Sequence, residues 1–348
     1  MKVQHHVPLA AYTSLHAGGA AEDLIELEAG DDLREIIKNL KRPVRVLGYG
    51  TNVLVSDKGL PGSVLINKSG SIDIDESGIV RADSGANWDE LVVKAIDRGL
   101  WGLEFTSGIP GGVGAAVAGS IAAYGHRVSD RFVSAEVLDT QTGEVSAWGV
   151  DKFDFGYRRS RMQLPENSKF VILKVSFKLE HQPTGEMEYQ SALKAAADIG
   201  IKPDTLSNRR RIIMEARRRA GSLLADVSQG PWTAGSFFKN PLVDESQVQA
   251  IVGHDESGVS REQLLRQNVI HGGDKTRVSA AHVLLAAGFK RGQAWGRVRL
   301  HPDHILKIEN TGGATAQEIY DAVQNIIVTV RERLGITLEP EVRFLGEF

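Results

Sequence analysis

The sequence predicts an α+β protein built from two or three domains. At 348 residues the chain is longer than one hydrophobic core usually organises. Between residues 131 and 179 the pattern is that of neighbouring strands, and helical periodicity dominates again later in the chain. The most regular helical pattern runs from Thr315 to Leu334. Strands and helices that cluster in separate parts of a chain indicate the α+β class.

The N-terminal part predicts a β-α-β unit with a glycine-rich second turn. Residues 31–40 start with Asp31 and carry leucines and isoleucines at the spacing of one helix face, and Pro43 ends that helix. Residues 44–47 and 53–55 are short apolar strands. The turn between these strands has the sequence GYGTN at 48–52.

A second helix and an uncharged glycine-rich segment follow. Asn87 caps the predicted helix with Glu90 at the third helical position, and Gly99 ends it. Residues 105–125 carry no charge and are long enough to cross a bilayer. They contain six glycines and Pro110, so a lipid-facing helix would be poorly hydrophobic and kinked. We expect backbone that closely approaches a ligand instead.

The remaining elements are a sheet, two helices and a closing strand. The predicted strands form an antiparallel, half-buried sheet and cover residues 131–139, 144–148 and 169–179. Residues 207–219 predict a basic helix, and loop and strand follow from residue 220 to residue 241. The helix at Thr315 begins with a capping box and ends at Gly335. The last strand, 336–346, contains Pro340, which prevents a fully paired central position.

Composition excludes several classes of function. A net charge of −3 argues against general binding to nucleic acid or to an anionic membrane. The chain has no cysteine, which removes disulfides, iron-sulfur clusters, thiolate nucleophiles and a cysteinyl flavin. The N-terminus lacks the charged start and apolar core of a secretory signal. We therefore expect a cytoplasmic protein without membrane insertion and without a metal.

Two glycine-rich segments are candidates for binding phosphates. Backbone N–H groups around Gly48 and Gly50 can converge on an anion, although a tight turn between strands explains the same residues. The pattern is neither a Walker A motif nor GxGxxG, because position 53 is valine. The second segment surrounds Pro110 and is either a helix-sheet packing site or a cofactor wall. Together the two segments favour a dinucleotide.

Several longer motifs occur in the order found in one enzyme family. They are TSLHAGGAA at 13–21, LGYGTNVLVSD at 47–57, GLEFTSGIPGGVGAA at 102–116, AAYG at 122–125, FGYRRS at 155–160, GSFFKNP at 235–241, AAGFKRG at 286–292 and LEPEVRFLG at 338–346. Over nearly its whole length the chain thus resembles the UDP-N-acetylenolpyruvoylglucosamine reductase (MurB) family, in the longer form that has a tyrosine loop.

The resemblance implies a fold and a domain division. The expected fold is the two-subdomain FAD-binding fold of the vanillyl-alcohol-oxidase and p-cresol-methylhydroxylase type, followed by a C-terminal α+β substrate domain. The expected boundaries are 1–67 for the first FAD-binding subdomain, 68–219 for the second and 220–348 for the substrate domain. The last strand is expected to return towards the flavin.

The resemblance also implies a reaction. NADPH would reduce a non-covalently bound FAD, which would then reduce the enolpyruvyl ether of a UDP-sugar to a lactyl ether, giving UDP-N-acetylmuramate for peptidoglycan synthesis. Hydride delivery pushes negative charge towards the substrate carboxylate, and an acid must then protonate the ether-bearing carbon. The residues implied in FAD binding are Gly48, Tyr49, Gly50, Thr51, Asn52, Ile109, Pro110, Gly111, Gly114 and Ala115.

Three residues match the catalytic positions of the family. Arg158 of FGYRRS would hold the substrate carboxylate, for which its planar guanidinium is suited. Glu341 of LEPE would be a second residue that stabilises the negative charge on the substrate. A glutamate beside an anion can do so only when it is protonated, which requires a raised pKa. Ser236 of GSFFKNP would donate the proton. Taken without the family, these residues would be a surface charge, a strand-edge charge and a turn residue.

Substrate contacts are implied less evenly. Tyr189, Asn240 and His304 fall at positions on the diphosphate side. The family has a lysine before GSFF, but this chain has alanine, glycine and serine at 220–222. Arg218 and Arg219, with Arg217, are candidates to replace that charge at the diphosphate or at the NADPH 2'-phosphate. Alternatively they form a solvated helix face in which Glu215 pairs with Arg211 and Arg219.

A second departure and two rival functions remain. The family reads NIGAYG where this chain has SIAAYG, so Ser120 and Ala122 change the expected contacts with FAD.

One rival is a flavin oxidase acting on an alcohol or sugar, for which His126 would be the flavin tether. The other is a non-catalytic UDP-sugar or flavin sensor. We expect a monomer whose partners are the UDP-sugar and NADPH, without nucleic acid.

Overall fold

The computed structural model describes residues 1–28, 30–223, 232–254, 257–271 and 276–348. These residues form two compact units. Unit 1 comprises Met1–Val7, Ala21–Tyr49 and Pro61–Leu224, and unit 2 comprises Pro8–Ala20, Gly50–Leu60 and Ala225–Phe348. The predicted three-part division at residues 67/68 and 219/220 stays a prediction.

The helices of the described residues are α1 (Leu33–Ile36), α2 (Trp88–Asp97), α3 (Val113–Ala118), α4 (Val150–Phe153), α5 (Gln190–Ile199), α6 (Leu206–Arg219), α7 (Glu245–Val252), α8 (Arg261–His271), α9 (Ala280–Ala286) and α10 (Ala316–Leu334). The strands are β1 (Lys2–Pro8), β2 (Ala20–Leu27), β3 (Val44–Val46), β4 (Val53–Val55), β5 (Leu60–Asn67), β6 (Ile72–Ile74), β7 (Ile79–Asp83), β8 (Ala122–Ala123), β9 (His126–Arg127), β10 (Phe132–Asp139), β11 (Val145–Gly149), β12 (Phe170–Lys178), β13 (Trp232–Ser236), β14 (Ala294–Trp295), β15 (Val298–Leu300), β16 (Lys307–Asn310) and β17 (Arg343–Leu345). This mixture confirms the α+β prediction.

Unit 1 contains two larger sheets and their helices. One sheet has the order β1-β2-β5-β3, with β3 parallel to β5. The other has the order β11-β10-β12-β7-β6 and is antiparallel throughout. Its apolar face packs with α2 and α3 around the buried Trp88 and Phe177, whose rings meet edge to face. The antiparallel sheet predicted from residues 131–179 is confirmed.

Unit 2 is built around a four-stranded antiparallel sheet and α10. The sheet order is β13-β16-β15-β14. One face of α10, with Ile319, Val323 and Ile326, lies in the core with Ile308. Burying large aliphatic side chains of this kind contributes about 1.5–3 kcal/mol each. The predicted capping box is confirmed, since Thr315 Oγ1 accepts from the Glu318 amide at 3.1 Å.

Some element bounds differ from the predicted ones. The helix predicted for residues 31–40 is α1 followed by a 3-10 turn at Ile37–Asn39, and Asp32 rather than Asp31 caps it. The last strand is only β17, because Pro340 cannot donate to a ladder and makes an isolated bridge to Phe238 instead. Of the predicted loop after α6, residues 224–231 lie outside the described residues.

The uncharged segment 105–125 is not a long helix. It contains a 3-10 turn at Glu104–Thr106, the short helix α3, and β8. In the part of the chain that the structure describes, no helix is long and apolar enough to cross a membrane.

Candidate active site

The glycine-rich turn at 48–52 exposes backbone donors. Gly50 has φ +63°, and a Cβ there would lie 1.9 Å from the carbonyl oxygen of Tyr12, so only glycine fits. Within the described residues, the N–H groups of Gly50, Thr51 and Asn52 donate to no acceptor. Adjacent unpaired amides of this kind suit a phosphate group.

The second glycine-rich segment is a close-packed wall in unit 1. A Cβ at Gly114 would lie 2.6 Å from the Ser84 Cβ, and the Gly114 amide donates to Ser84 O at 2.8 Å. Ala115 is exposed between buried neighbours on α3, and a Cβ at Gly48 would touch its side chain at 3.4 Å. Tyr49 is largely exposed and donates its hydroxyl to Gly85 O at 3.3 Å. Because Gly48 has no side chain, the surface beside the exposed Ala115 stays open, which fits a flat cofactor.

An ion pair fixes the start of this wall. Asp89 accepts from the Gly108 amide at 2.6 Å and from both guanidinium nitrogens of Arg210, at 2.6 and 2.8 Å. Burial alone would raise the pKa of Asp89, but Arg210 and the Gly108 amide outweigh it and hold this pKa below its usual range. Ile109 and Pro110 directly follow this anchored residue and are partly buried.

Arg158 lies in unit 1 in a strained turn. Its φ is +51°, a left-handed conformation that costs a non-glycine residue about 1–2 kcal/mol. Gly156 and Arg159 close the turn with two backbone hydrogen bonds, and Ser120 Oγ donates to Gly156 O at 3.2 Å. Strain that surrounding contacts maintain is frequent at functional sites. The departure at Ser120 therefore supports the Arg158 turn.

Tyr189 belongs to an aromatic group beside Arg158. Its ring meets Tyr124 edge to face at 5.5 Å, and it directly precedes α5. Burial raises the pKa of Tyr189, Tyr157 adds to the rise, and the positive charge of Arg158 opposes it. The structure thus brings two predicted residues, Arg158 and Tyr189, into one electrostatic neighbourhood.

The three arginines at the end of α6 differ from one another. Arg218 holds Glu215 through two hydrogen bonds of 2.8 Å, and Arg219 pairs with Glu215 at 2.7 Å and also with Asp198. The predicted pair of Glu215 with Arg211 is not among these contacts. Arg217 instead donates to Ser222 O at 2.8 Å, and its Nε is buried without an acceptor in the described part of the chain. Burial lowers the pKa of Arg217, while Tyr124 and Asp89 oppose that change.

Ser236 and Glu341 come together in unit 2. Ser236 is the last residue of β13, and Phe237 follows it in the chain. The Glu341 amide donates to the carbonyl oxygen of Phe237 at 2.8 Å. Asn52 Nδ2 donates to Glu341 O at 3.1 Å, so Asn52 of the glycine-rich turn contacts the segment that carries Glu341. Three distant segments of sequence therefore meet here. Arg158 belongs to the other unit.

The remaining predicted residues of unit 2 have different surroundings. Asn240 Oδ1 accepts from the Ala280 amide at 3.0 Å, which ties it to the first turn of α9. His304 has a buried Nδ1 without a partner among the described residues. Burial, and then the charge of Lys307, lower the pKa of His304 to about 4, so its imidazole is neutral at pH 7.

Sequence reasoning missed Tyr124 and Asp89 as members of the candidate site and did not distinguish Arg217 from the two arginines after it. Tyr124 was visible only as part of AAYG, and Arg217 was not separable from its two neighbours. Asp89 looked like an ordinary acidic residue in the first turn of a helix. Only the contact with the Gly108 amide, nineteen positions away, gives it another role.

Family models match two parts of the chain. Residues 24–148 match the FAD binding domain, and residues 226–345 match the UDP-N-acetylenolpyruvoylglucosamine reductase C-terminal domain. The second range includes Ser236, Asn240, His304 and Glu341.

Relatives match over nearly the full length. The UDP-N-acetylenolpyruvoylglucosamine reductase of Mycobacterium marinum is 32% identical and is aligned over 99% of this chain and 96% of its own. That of Saccharopolyspora erythraea is 31% identical over 96% and 93%. The crystal structure of the Thermus caldophilus reductase superposes with a TM-score of 0.68 at 25% identity, covering 99% of this chain and 100% of the other. The chain therefore belongs to the UDP-N-acetylenolpyruvoylglucosamine reductase family.

Proposed function

We propose that NADPH is the hydride donor of this protein and that Arg158, Ser236 and Glu341 act on the substrate. As a member of its family, the chain is an FAD-dependent oxidoreductase that reduces UDP-N-acetylenolpyruvoylglucosamine in peptidoglycan synthesis. FAD, when bound, supplies the two-electron chemistry. We assign its diphosphate to the turn at 48–52 and its flat ring system to the wall that includes Ile109, Pro110, Gly111, Gly114 and Ala115.

The observation that carries the residue assignment is the meeting of Ser236, Glu341 and Asn52 in one unit. Each comes from a separate motif. The Glu341 amide donates to the carbonyl oxygen of Phe237, the residue after Ser236, and the Asn52 side-chain amide donates to the carbonyl oxygen of Glu341. In this proposal Ser236 supplies the proton donor and Glu341 a second polar group for an anionic centre.

Arg158 binds the substrate carboxylate in this proposal. Its guanidinium offers two parallel donors to a carboxylate, and the braced left-handed turn limits its freedom before binding. Ser236 gives its hydroxyl proton to the ether-bearing carbon once negative charge has developed there. Glu341 is the second stabilising group for the same anionic system.

The substrate diphosphate is assigned to Tyr189, Asn240 and His304, with a cation from the end of α6. Arg218 and Arg219 remain candidates, but both already neutralise carboxylates of the helix surface. Arg217 is partly buried and its positive charge lowers the pKa of Tyr124 against the larger effect of burial, and we favour Arg217 for the anion contact. We further propose that the protein is a cytoplasmic monomer.

Anaerobic mixing tests the function. NADPH should bleach the flavin absorbance of the purified yellow protein, and the enolpyruvyl UDP-sugar should restore it, whereas a simple alcohol should not. Denaturation should release free FAD. Fast reoxidation by oxygen together with activity on alcohols, or a flavin that stays bound to the denatured chain, would contradict the proposal.

A further inference from the structure

One face of α6 carries two arginines near the start of the glycine-rich wall. Arg210 and Arg217 are about two helical turns apart, so they lie on the same face of the helix, with Met214 between them. A Cβ on Gly108 would lie 2.7 Å from Met214 Sδ and 3.2 Å from Arg217 Nε. This face of α6 therefore packs directly on the backbone of Gly108.

The carboxylate of Asp89 interacts with both arginines. Asp89 Oδ1 accepts from the Gly108 amide at 2.6 Å, and Arg217 approaches the same glycine. Burial would raise the pKa of Asp89, whereas Arg210, the Gly108 amide and then Arg217 lower it. Burial in turn lowers the pKa of Arg217, and Asp89 is one of the groups that oppose this change. The charges of Asp89 and Arg217 thus attract each other, although Arg217 donates its hydrogen bond to Ser222 O.

Arg210 already holds Asp89 through both carboxylate oxygens. Arg210 Nη1 and Nη2 donate to Oδ1 and Oδ2 at 2.6 and 2.8 Å, and both side chains are partly buried. A bidentate pair of guanidinium and carboxylate is stronger than a single neutral hydrogen bond and is fixed in geometry. Together with the Gly108 amide, Arg210 therefore satisfies Asp89 without help from Arg217.

This arrangement affects how Arg217 can bind an anion. A cation that is held by a nearby carboxylate binds an anionic ligand less well, and the attraction is strong where water screens it little. We propose that Arg210 is a positioning residue for Arg217: by holding both oxygens of Asp89, it leaves the charge of Arg217 available to the diphosphate of the UDP-sugar. This inference rests on the proposed function, in which Arg217 contacts that diphosphate.

Binding of UDP to the FAD-loaded protein tests the role, with calorimetry at low ionic strength as the measurement. In Arg210→Gln, Asp89 keeps its charge and draws Arg217 towards itself. The Kd for UDP should therefore rise about tenfold, a usual effect of losing one hydrogen bond to a charged group.

A double variant separates this role from a structural one. Asp89→Asn combined with Arg210→Gln removes the competing carboxylate, so the Kd for UDP should return to within about twofold of the wild-type value. An ion pair that is needed only for the fold would leave the double variant as weak as Arg210→Gln, because both variants lack the pair.

Arg211 provides the matched control. It is the next residue of α6, and it is exposed. Arg211→Gln removes the same charge from the same helix, and the Kd for UDP should change by less than about twofold.

Asp89→Asn alone gives an answer even if Arg210→Gln does not fold. The side-chain oxygen of asparagine can still accept from the Gly108 amide, and the negative charge near Arg217 is gone. UDP should therefore bind at least as tightly as to the wild type. A Kd raised by more than about threefold would overturn the inference.

The outcomes also separate the inference from the proposed function. Wild-type affinity in Arg210→Gln, or a double variant as weak as Arg210→Gln, shows that the inference is wrong. Arg217→Met serves as the reference in the same assay. If Arg217→Met binds UDP weakly and Arg210→Gln does not, only the inference fails. If Arg217→Met binds UDP as the wild type does, the assignment of Arg217 in the proposed function is wrong and the inference falls with it.

Discussion

At the scale of single residues, the end of α6 offers the clearest comparison. Arg217, Arg218 and Arg219 are consecutive, yet two of them neutralise surface carboxylates and the first lies beside Tyr124 with a buried Nε. Exposed ion pairs of this kind contribute little to stability. For this reason we propose that the first arginine, rather than the other two, contacts an anionic ligand.

Substitution distinguishes the three arginines. We expect Arg217→Met to raise the KM for the UDP-sugar at least about tenfold, which corresponds to about 1.4 kcal/mol of lost binding. Arg218→Met and Arg219→Met should change KM by less than about twofold, because each leaves an exposed site. Steady-state kinetics at low ionic strength would measure this. A larger effect at either of the outer arginines than at Arg217 would contradict the assignment.

His304 predicts a pH dependence of stability. Its pKa is about 4 in the folded chain, below the ordinary value of 6.5. The unfolded chain therefore binds more protons between these values, and this contribution to stability is present above pH 6.5 and is lost as the pH falls towards 4. The loss amounts to at most about 3.4 kcal/mol.

The variant His304→Gln should remove that dependence. Urea unfolding at pH 7 and pH 5 should show a smaller loss of stability for the variant than for the wild type. The control His254→Gln alters an exposed histidine and should retain the wild-type loss. Equal losses in wild type and His304→Gln would exclude a depressed histidine pKa as the cause.

Residue roles could be predicted only where a motif carried them. Ser236 has an ordinary sequence environment, and its position in GSFFKNP gave the prediction. Arg217 lies outside any motif, and its distinction from its two neighbours depends on burial, which sequence spacing does not reveal.

At the scale of elements, α10 combines a predicted and an unpredicted cap. Besides the capping box, Asp57 accepts from the Ala316 amide at 2.9 Å and from the Gln317 amide at 2.8 Å. Both donors belong to the first turn, whose amides have no partner within the helix. A carboxylate there also interacts favourably with the helix dipole.

Asp57→Ala should therefore weaken the start of α10. We expect a loss of about 1–2 kcal/mol in the free energy of unfolding and faster hydrogen exchange at Ala316 and Gln317. The control Asp321→Ala removes an exposed carboxylate from the same helix and should cost less than about 0.5 kcal/mol. If exchange at the two amides is unchanged in Asp57→Ala, the cap does not stabilise the helix.

Local patterns predicted helices better than strand partners. The capping box of α10 and the Asn87 cap of α2 are visible within four residues of sequence. The strands on either side of the GYGTN turn were also found, but β3 pairs with β5 and β4 pairs with β17. Parallel pairing joins segments far apart in the chain, and nothing local specifies the partner.

At the scale of the whole molecule, the predicted site residues are divided between the two units. Unit 1 carries the glycine-rich wall, Arg158 and Tyr189, and unit 2 carries Ser236, Glu341 and the amides of the glycine-rich turn. The order of motifs predicted the family and the cofactor. The sequence did not predict that residues 8–20 and 50–60 group with the C-terminal unit, because this grouping depends on long-range contacts. Examples are the pairing of β4 with β17 and the hydrogen bond from Asn310 Nδ2 to Leu15 O.

The central claim is that Ser236 protonates the substrate, and Ser236→Ala tests it most directly. The two half-reactions should be measured separately by stopped-flow absorbance of the flavin. We predict that NADPH reduces the flavin of the variant at the wild-type rate, since no step of that half-reaction uses the serine proton. Reoxidation by the enolpyruvyl UDP-sugar should fall by at least about 100-fold. Normal rates in both half-reactions would contradict the account.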